Sequence, residues 1–345
     1  MPLQLTEHAA AITEDVIAID YAQRSKALAR YGERGHDLYR RDNLSHLSFL
    51  AEAVRSGEAE LFVDYAAWAK SMLAAHGVPI EHLIENFRLL REAVGRHVPA
   101  DESAAAVMAI DAALARMPTL PAEPPTFLTS SNEDVARSYL AFLLKGDRRG
   151  AFDVVLRAME GGLPLKRVYL DVFQQSQREL GRLWQLNRVT VAQEHYCTAA
   201  TQAIMNQLFG RVLQSPRIGR KMIALCVAGD LHEIGLRIVT DLFEMAGWDC
   251  DFLGANMPAE TILDDLPTMR PDLIAISATM AYHVELVEEF IGKLRERSEI
   301  RHIPVLVGGR PFFVVENLWK RVGADGWARD AETAVEEGTK LVQSR

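Results

Sequence analysis

Four short stretches combine residue types that can do chemistry together. Asp230 and His232 stand two residues apart, with Gly235 three further on. A carboxylate at that spacing can accept the proton of one imidazole nitrogen. That fixes the tautomer and leaves the other nitrogen as a lone-pair donor to a metal. The positive end of a helix beginning near His232 would favour the neutral, metal-binding imidazole. Ser277 and Thr279 offer two hydroxyls, while Gly235 and the pair Gly308-Gly309 leave backbone open to a bulky group. A fourth stretch, LWQLNRVTVAQEH over 183–195, carries Trp184 and the pair Glu194-His195. The three cysteines, Cys197, Cys226 and Cys250, are odd in number and lack a CxxC pair. Neither a disulfide framework nor a cysteine zinc site is expected, and a reducing cytoplasm fits best.

Those residues need elements to hold them. After Arg220, short apolar runs over 222–228, 248–253, 273–277, 304–307 and 324–327 alternate with helical patterns. This alternation predicts a flavodoxin-like α/β domain over 220–345, with a five-stranded parallel sheet and right-handed crossovers. In such sheets a ligand lies beyond the carboxyl ends of the strands, at the point where strand order reverses. The first, third and fourth strands deliver Asp230 to Gly235, Ser277 to Thr279, and Gly308-Gly309 there. Residues 131–215 read as a four-helix bundle. Ser131 or Asn132 caps its first helix, Gly161-Gly162 ends the second, and two long segments cover 164–186 and 190–212. MPTLPAEPP, four prolines in nine residues, marks a linker assigned to 121–130. Residues 1–120 read as all-helical, with Leu47 and Leu50, then Phe62, Tyr65 and Trp68, then Leu83, Phe87 and Leu90 on successive apolar faces.

The loops after the strands resemble those of the cobalamin-binding domain, with Asp230-x-His232-x-x-Gly235, Ser277-x-Thr279 and Gly308-Gly309 as the matching parts. The resemblance covers about 220–345. It implies base-off, His-on binding of cobalamin, with His232 as the lower axial ligand of cobalt and the nucleotide tail beside Ser277, Thr279 and the glycines. Over about 130–212 the chain is similar to the helical cap of cobalamin-dependent photoreceptors and related regulators. By that resemblance Trp184, Glu194 and His195 line the upper face, and adenosylcobalamin is the favoured form. Gln185 stands where several light-sensing relatives carry a cobalt-capturing histidine.

The 345 residues carry a formal net charge of −9. That excludes broad nucleic-acid binding by electrostatics, and no recognition helix is seen in the first domain, so no direct DNA binding is expected. The first twenty residues do not read as a secretory signal, and no apolar run is long enough to span a membrane. The first domain is similar to helical domains of the sensor-globin type, as in photocobilin-like receptors. There His46, His76 and His82 can contact a bilin, although no cysteine precedes Cys197.

The function expected from these resemblances is a non-enzymatic, light-responsive cobalamin sensor, with no catalytic residue. Its output passes to a regulatory protein partner or through self-association. The alternative is a corrinoid shuttle for methyl transfer. A bulky Trp184 over the cobalt and the extra helical domain favour the sensor over the shuttle. The cobalamin subunit of a mutase is a third possibility that lacks its substrate barrel.

Overall fold

The computed structural model describes residues 3–343; the ends of the 1–120 and 220–345 segments lie outside that range. The chain divides into two compact units between Pro124 and Pro125.

The first unit is helical, as its apolar periodicity requires. Its long helices are Ala9–Leu28, Gly32–Ser56, Ala59–Ala75, Ile80–His97 and Ala100–Arg116. Their shared faces meet through Leu47, Leu50, Phe62, Tyr65, Phe87 and Leu90, all buried. A polar knot lies within this core. The fully buried Asp20 pairs with Arg24 and accepts from the Tyr39 hydroxyl, to which Asn86 donates in turn. Burial, with the Asp20 hydrogen bond behind it, raises the Tyr39 pKa and keeps the phenol protonated. Lys70 bonds the carbonyls of Met117 and Leu120, fastening the start of the proline-rich stretch to its own unit.

The second unit begins with four helices: Glu133–Leu144, Arg148–Glu160, a helix over 165–185, and Val191–Val212. The Thr190 side chain and Gln193 form a reciprocal capping box at the start of the last one. Asn132 occupies the first cap position but does not cap with its side chain. Its amide donates instead to Asp171 on the third helix, a tertiary demand that overrides the local one. Residues Val168–Gln174 are π-helical, which the sequence pattern did not disclose. This wider coil buries six successive residues, Val168 to Phe173. A regular α-helix with one apolar face would turn some of them to solvent.

Behind the bundle lies a five-stranded parallel sheet in the order β2-β1-β3-β4-β5. The strands are β1 (Lys221–Val227), β2 (Asp249–Met257), β3 (Leu273–Ser277), β4 (Val305–Gly308) and β5 (Gly326–Trp327). The order reverses between β1 and β3, so the expected switch point is there. Met222, Ala224 and Cys226 pack with Leu236, Phe243, Ala334 and Val342 of the helices Ile234–Met245 and Ala331–Gln343. The alternate β1 residues face the opposite way, as the strand period dictates. The second strand is longer than the pattern predicts because it continues through an irregularity. Ala224 pairs with Phe252 but Leu225 pairs with Gly254, leaving Leu253 as an extra residue.

Bundle and sheet belong to one unit because the helix Ile234–Met245 serves both. Ile238 and Leu242 enter the bundle core. Beside them the buried Tyr169 hydroxyl donates to Asp241 at 2.9 Å, and Arg237 donates to the same carboxylate at 3.0 Å. Replacing Tyr169 by Phe removes one donor from a buried carboxylate and should cost about 1–3 kcal/mol of stability. Urea denaturation of the wild type and Tyr169→Phe measures this, and coincident midpoints would contradict it.

Candidate functional site

The loop after β1 is built around one carboxylate. Asp230 is fully buried, yet three donors converge on it. Its Oδ1 accepts from the backbone N–H of His232 at 3.0 Å and from Nδ1 of the same residue at 2.8 Å. Its Oδ2 accepts from the backbone N–H of Thr279 at 2.6 Å, reaching across to the loop after β3. Burial opposes ionisation, but the hydrogen bonds from His232, the His283 imidazole 3.7 Å away and the Thr279 N–H outweigh it and hold Asp230 far below the usual carboxylate range. The 2.8 Å contact with Asp230 raises the His232 pKa, outweighing the burial that opposes it. This corrects the expectation that a helix terminus would favour neutral imidazole. His232 lies two residues before the helix Ile234–Met245, and a directly bonded carboxylate outweighs that helix end.

With Nδ1 committed to Asp230, Nε2 is the nitrogen left to ligate. The His232 side chain is 60% exposed, and the neighbouring Leu231 is 71% exposed. The half-exposed Tyr282 follows the β3 loop. Space above Gly235 is open: a Cβ built there would meet nothing within 4 Å.

The other glycines behave differently. At Gly309, φ is +111° and a Cβ would lie 1.9 Å from the carbonyl oxygen of Ala278. Glycine is therefore required there by the approach of the β3 loop, not only by room for a ligand. Gly308 accepts from the Ala278 N–H at 3.1 Å and completes that junction. Ser277 pairs with Cys226 and Gly308 at the centre of the sheet and is half-buried. Thr279 contributes its backbone N–H, whereas the sequence drew attention to its hydroxyl.

On the bundle, Trp184 is 37% exposed near the end of the third helix. Glu194 and His195 lie in the first turn of Val191–Val212. The His195 Nδ1 is 2.8 Å from Glu194 and 2.9 Å from the Val191 carbonyl, with 74% of its side chain exposed. The same helix meets the Asp230 loop through Gln202, which donates to Glu233 at 2.8 Å.

Three residues that sequence reasoning missed complete the arrangement. Asn256 accepts from the Gly229 N–H at 2.7 Å through its side chain and donates its own N–H to the Asp230 carbonyl at 3.0 Å. The Glu233 carboxylate accepts from Gln202 and from the Ala255 N–H. His283 is buried with its Nδ1 3.7 Å from Asp230, an electrostatic contact without a hydrogen bond. Their only sequence signals were an Asn, a Glu and a His near strand ends. In the first unit, His46 is a core residue bonded to Tyr65 at 2.7 Å, and burial pulls its pKa down to about 3. His82 approaches the Tyr31 hydroxyl and His76 bonds the Met72 carbonyl.

Residues 220–337 match the family model described as a B12 binding domain, and residues 135–209 match a second model so described. Both matches fall within the second unit. A corrinoid protein of Desulfitobacterium hafniense (strain Y51) is 33% identical over 123 residues, 35% of this chain and 56% of that one. Dimethylamine corrinoid protein 2 of Methanosarcina acetivorans is 29% identical over 117 residues, 34% of this chain and 53% of that one. The chain thus spans a little over half the length of these curated relatives. The solved monomethylamine corrinoid protein of Methanosarcina barkeri superposes on 61% of this chain and 100% of its own, with 19% identity and a TM-score of 0.54. It shows the shared fold of bundle and sheet.

The two curated relatives overturn the light-sensor reading, because they are corrinoid proteins and fit the shuttle alternative better. The argument from Trp184 misled because a partly exposed aromatic at the end of a bundle helix does not distinguish a cap that stays shut from one that opens. Among the described residues no helix is long and apolar enough to cross a membrane, and no three His, Cys, Asp or Glu side chains cluster as a metal site. A corrinoid brings its own equatorial ligands and needs only an axial one from a protein. An exposed imidazole with one nitrogen committed, an exposed leucine beside it and open space over Gly235 suit such a group.

Because Asp230 raises the His232 pKa, Asp230→Asn should shift the His232 titration to lower pH. Ring-proton NMR against pH follows this directly, and an unmoved titration would show that the 2.8 Å contact does not control the imidazole.

Proposed function

We propose that the chain is a corrinoid-binding carrier of one-carbon groups, the corrinoid subunit of a methyl-transfer system rather than an enzyme by itself. The observation that carries this reading is His232, exposed and held through Nδ1 by the buried carboxylate of Asp230. The two B12-binding matches and the corrinoid-protein relatives support it.

A bound corrinoid would supply a cobalt centre able to accept and give up a methyl group. The residues of this chain do the rest. His232 is the proposed lower ligand through Nε2, and Asp230 holds its ring orientation and raises its basicity. Ser277, Thr279, Gly308 and Gly309 stand where the nucleotide tail would descend, at the switch point of the sheet. Trp184, Glu194 and His195 belong to the bundle on the other side and are proposed to face the upper ligand. The partners are then methyltransferases, which need the cap to give access. A carrier exchanges the methyl form, so the adenosyl form has no particular claim.

Purified protein incubated with hydroxocobalamin and passed through a desalting column should retain about one corrinoid per chain. After reduction to cob(II)alamin, its electron paramagnetic resonance spectrum should show splitting from one axial nitrogen. His232→Ala should lose that splitting and weaken retention by roughly tenfold or more, as loss of an ordered ligand does. Absence of corrinoid from the wild-type protein would refute the carrier reading.

A further inference from the structure

Glu233, the residue directly after the proposed cobalt ligand, joins the two layers of the second unit. Its Oε1 accepts from the Gln202 amide of the bundle helix Val191–Val212 at 2.8 Å. Its Oε2 accepts from the backbone N–H of Ala255 in β2 at 3.0 Å. The strand is shaped to receive it. The extra residue at Leu253 breaks the β1–β2 register immediately before Gly254, where φ is +85°. A Cβ at that position would lie 3.1 Å from the Glu233 Oε2, so glycine leaves room for the carboxylate. Two residues after Gly254, Asn256 holds Gly229 and Asp230. The irregular half of β2 thus grips both ends of the segment 229–233 that presents His232.

Glu194, Thr198 and Gln202 are spaced four apart along the bundle helix and share one face. The Thr198 hydroxyl lies 3.0 Å from Glu194 and 2.9 Å from the Gln177 amide oxygen, on the helix that ends at Trp184 and Gln185. Gln202, on the same face, holds Glu233. A displacement of this helix therefore cannot leave the His232 loop untouched. Opening it would strip a half-buried carboxylate of its side-chain donor, a loss carried entirely by the residue next to His232.

We infer that Glu233, through Gln202, is a positioning residue that couples closure of the bundle to the placement of His232 as a cobalt ligand. This rests on the carrier reading, in which the bundle must give way to a partner. On that basis, the bundle open to a methyltransferase holds His232 less firmly than the closed bundle does. Lower-ligand strength and upper-face access then vary together.

The test uses the full chain with Gln202→Leu, Gln202→Glu, Glu233→Gln and the double variant Gln202→Leu/Glu233→Gln. Amide hydrogen exchange on the corrinoid-free protein reads the loop over 229–236. Electron paramagnetic resonance of protein loaded with cob(II)alamin reads the nitrogen-ligated fraction. Gln202→Leu alters only the bundle, yet it should speed exchange of the loop by about tenfold and lower the nitrogen-ligated fraction. Gln202→Glu, which keeps the side-chain size, should act in the same direction by setting two carboxylates against each other. The effects in the double variant should be less than additive, since Gln202→Leu removes one of the two contacts that Glu233→Gln weakens. Wild-type loop exchange and wild-type axial splitting in both Gln202 variants would overturn the inference, as would additive effects in the double variant. If the wild type binds no corrinoid, the carrier reading fails on that result alone, while exchange in the corrinoid-free chain still decides whether bundle and loop are coupled.

Discussion

A charged carboxylate without solvent must be surrounded by donors or it will not stay charged. Asp230 meets that demand with two N–H groups from His232 and one from Thr279. The donors come from loops following two different strands, so satisfying one side chain fixes the distance between β1 and β3 at their carboxyl ends. It also fixes the orientation of His232. The functional imidazole is thus held by the least exposed atom group of the site, while its own ring remains open. Similar constraints recur elsewhere in the molecule. Asp241 ties the third bundle helix to the sheet domain through Tyr169, and Glu179 accepts from Thr126, Phe127 and Arg182 to anchor the start of the second unit. In the first unit Asp20 organises Arg24, Tyr39 and Asn86 in the same manner. Each of these carboxylates joins segments distant in sequence, which apolar packing alone aligns with less precision.

Much of the second unit was legible in sequence because its signals are local. Strand and helix periods differ, proline stands at the entry of the helices at 165 and 259, and the three loop stretches fall at the ends of the first, third and fourth strands. The spacing of Asp230 and His232 was sufficient to anticipate their hydrogen bond. Glu233, Asn256 and His283 could not be found in this way. Their importance lies in partners 22 to 53 positions away, and nothing in their own neighbourhoods distinguishes them from surface residues. The register break at Leu253 was hidden for the same reason, since it is defined only by pairing with β1.

Of the two influences expected on His232, the carboxylate prevails over the helix end on magnitude. A helix end exerts a partial charge that fades within a turn, whereas a carboxylate at 2.8 Å is a full charge in direct contact. Purpose was harder to read than chemistry. The motif of Asp, His and Gly does not by itself distinguish a carrier from a switch. The contacts that join bundle to sheet, through Gln202, Arg237 and Tyr169, are distributed along the chain rather than written in any motif.

The π-helical turn Val168–Gln174 divides its helix into two rods of different phase. Upstream and within it, Arg167, Tyr169 and Asp171 face their fixed partners; downstream, Gln177 meets Thr198 and Thr201 of Val191–Val212. Each i→i+5 bond takes one residue more per turn than an α-helical bond. Deleting a single residue there would let the segment wind back to α while the residues after it kept nearly their present facing, because the wide turn had absorbed the extra residue. The wide turn thus takes up one residue of slack, so that both halves of the helix keep the faces their partners require.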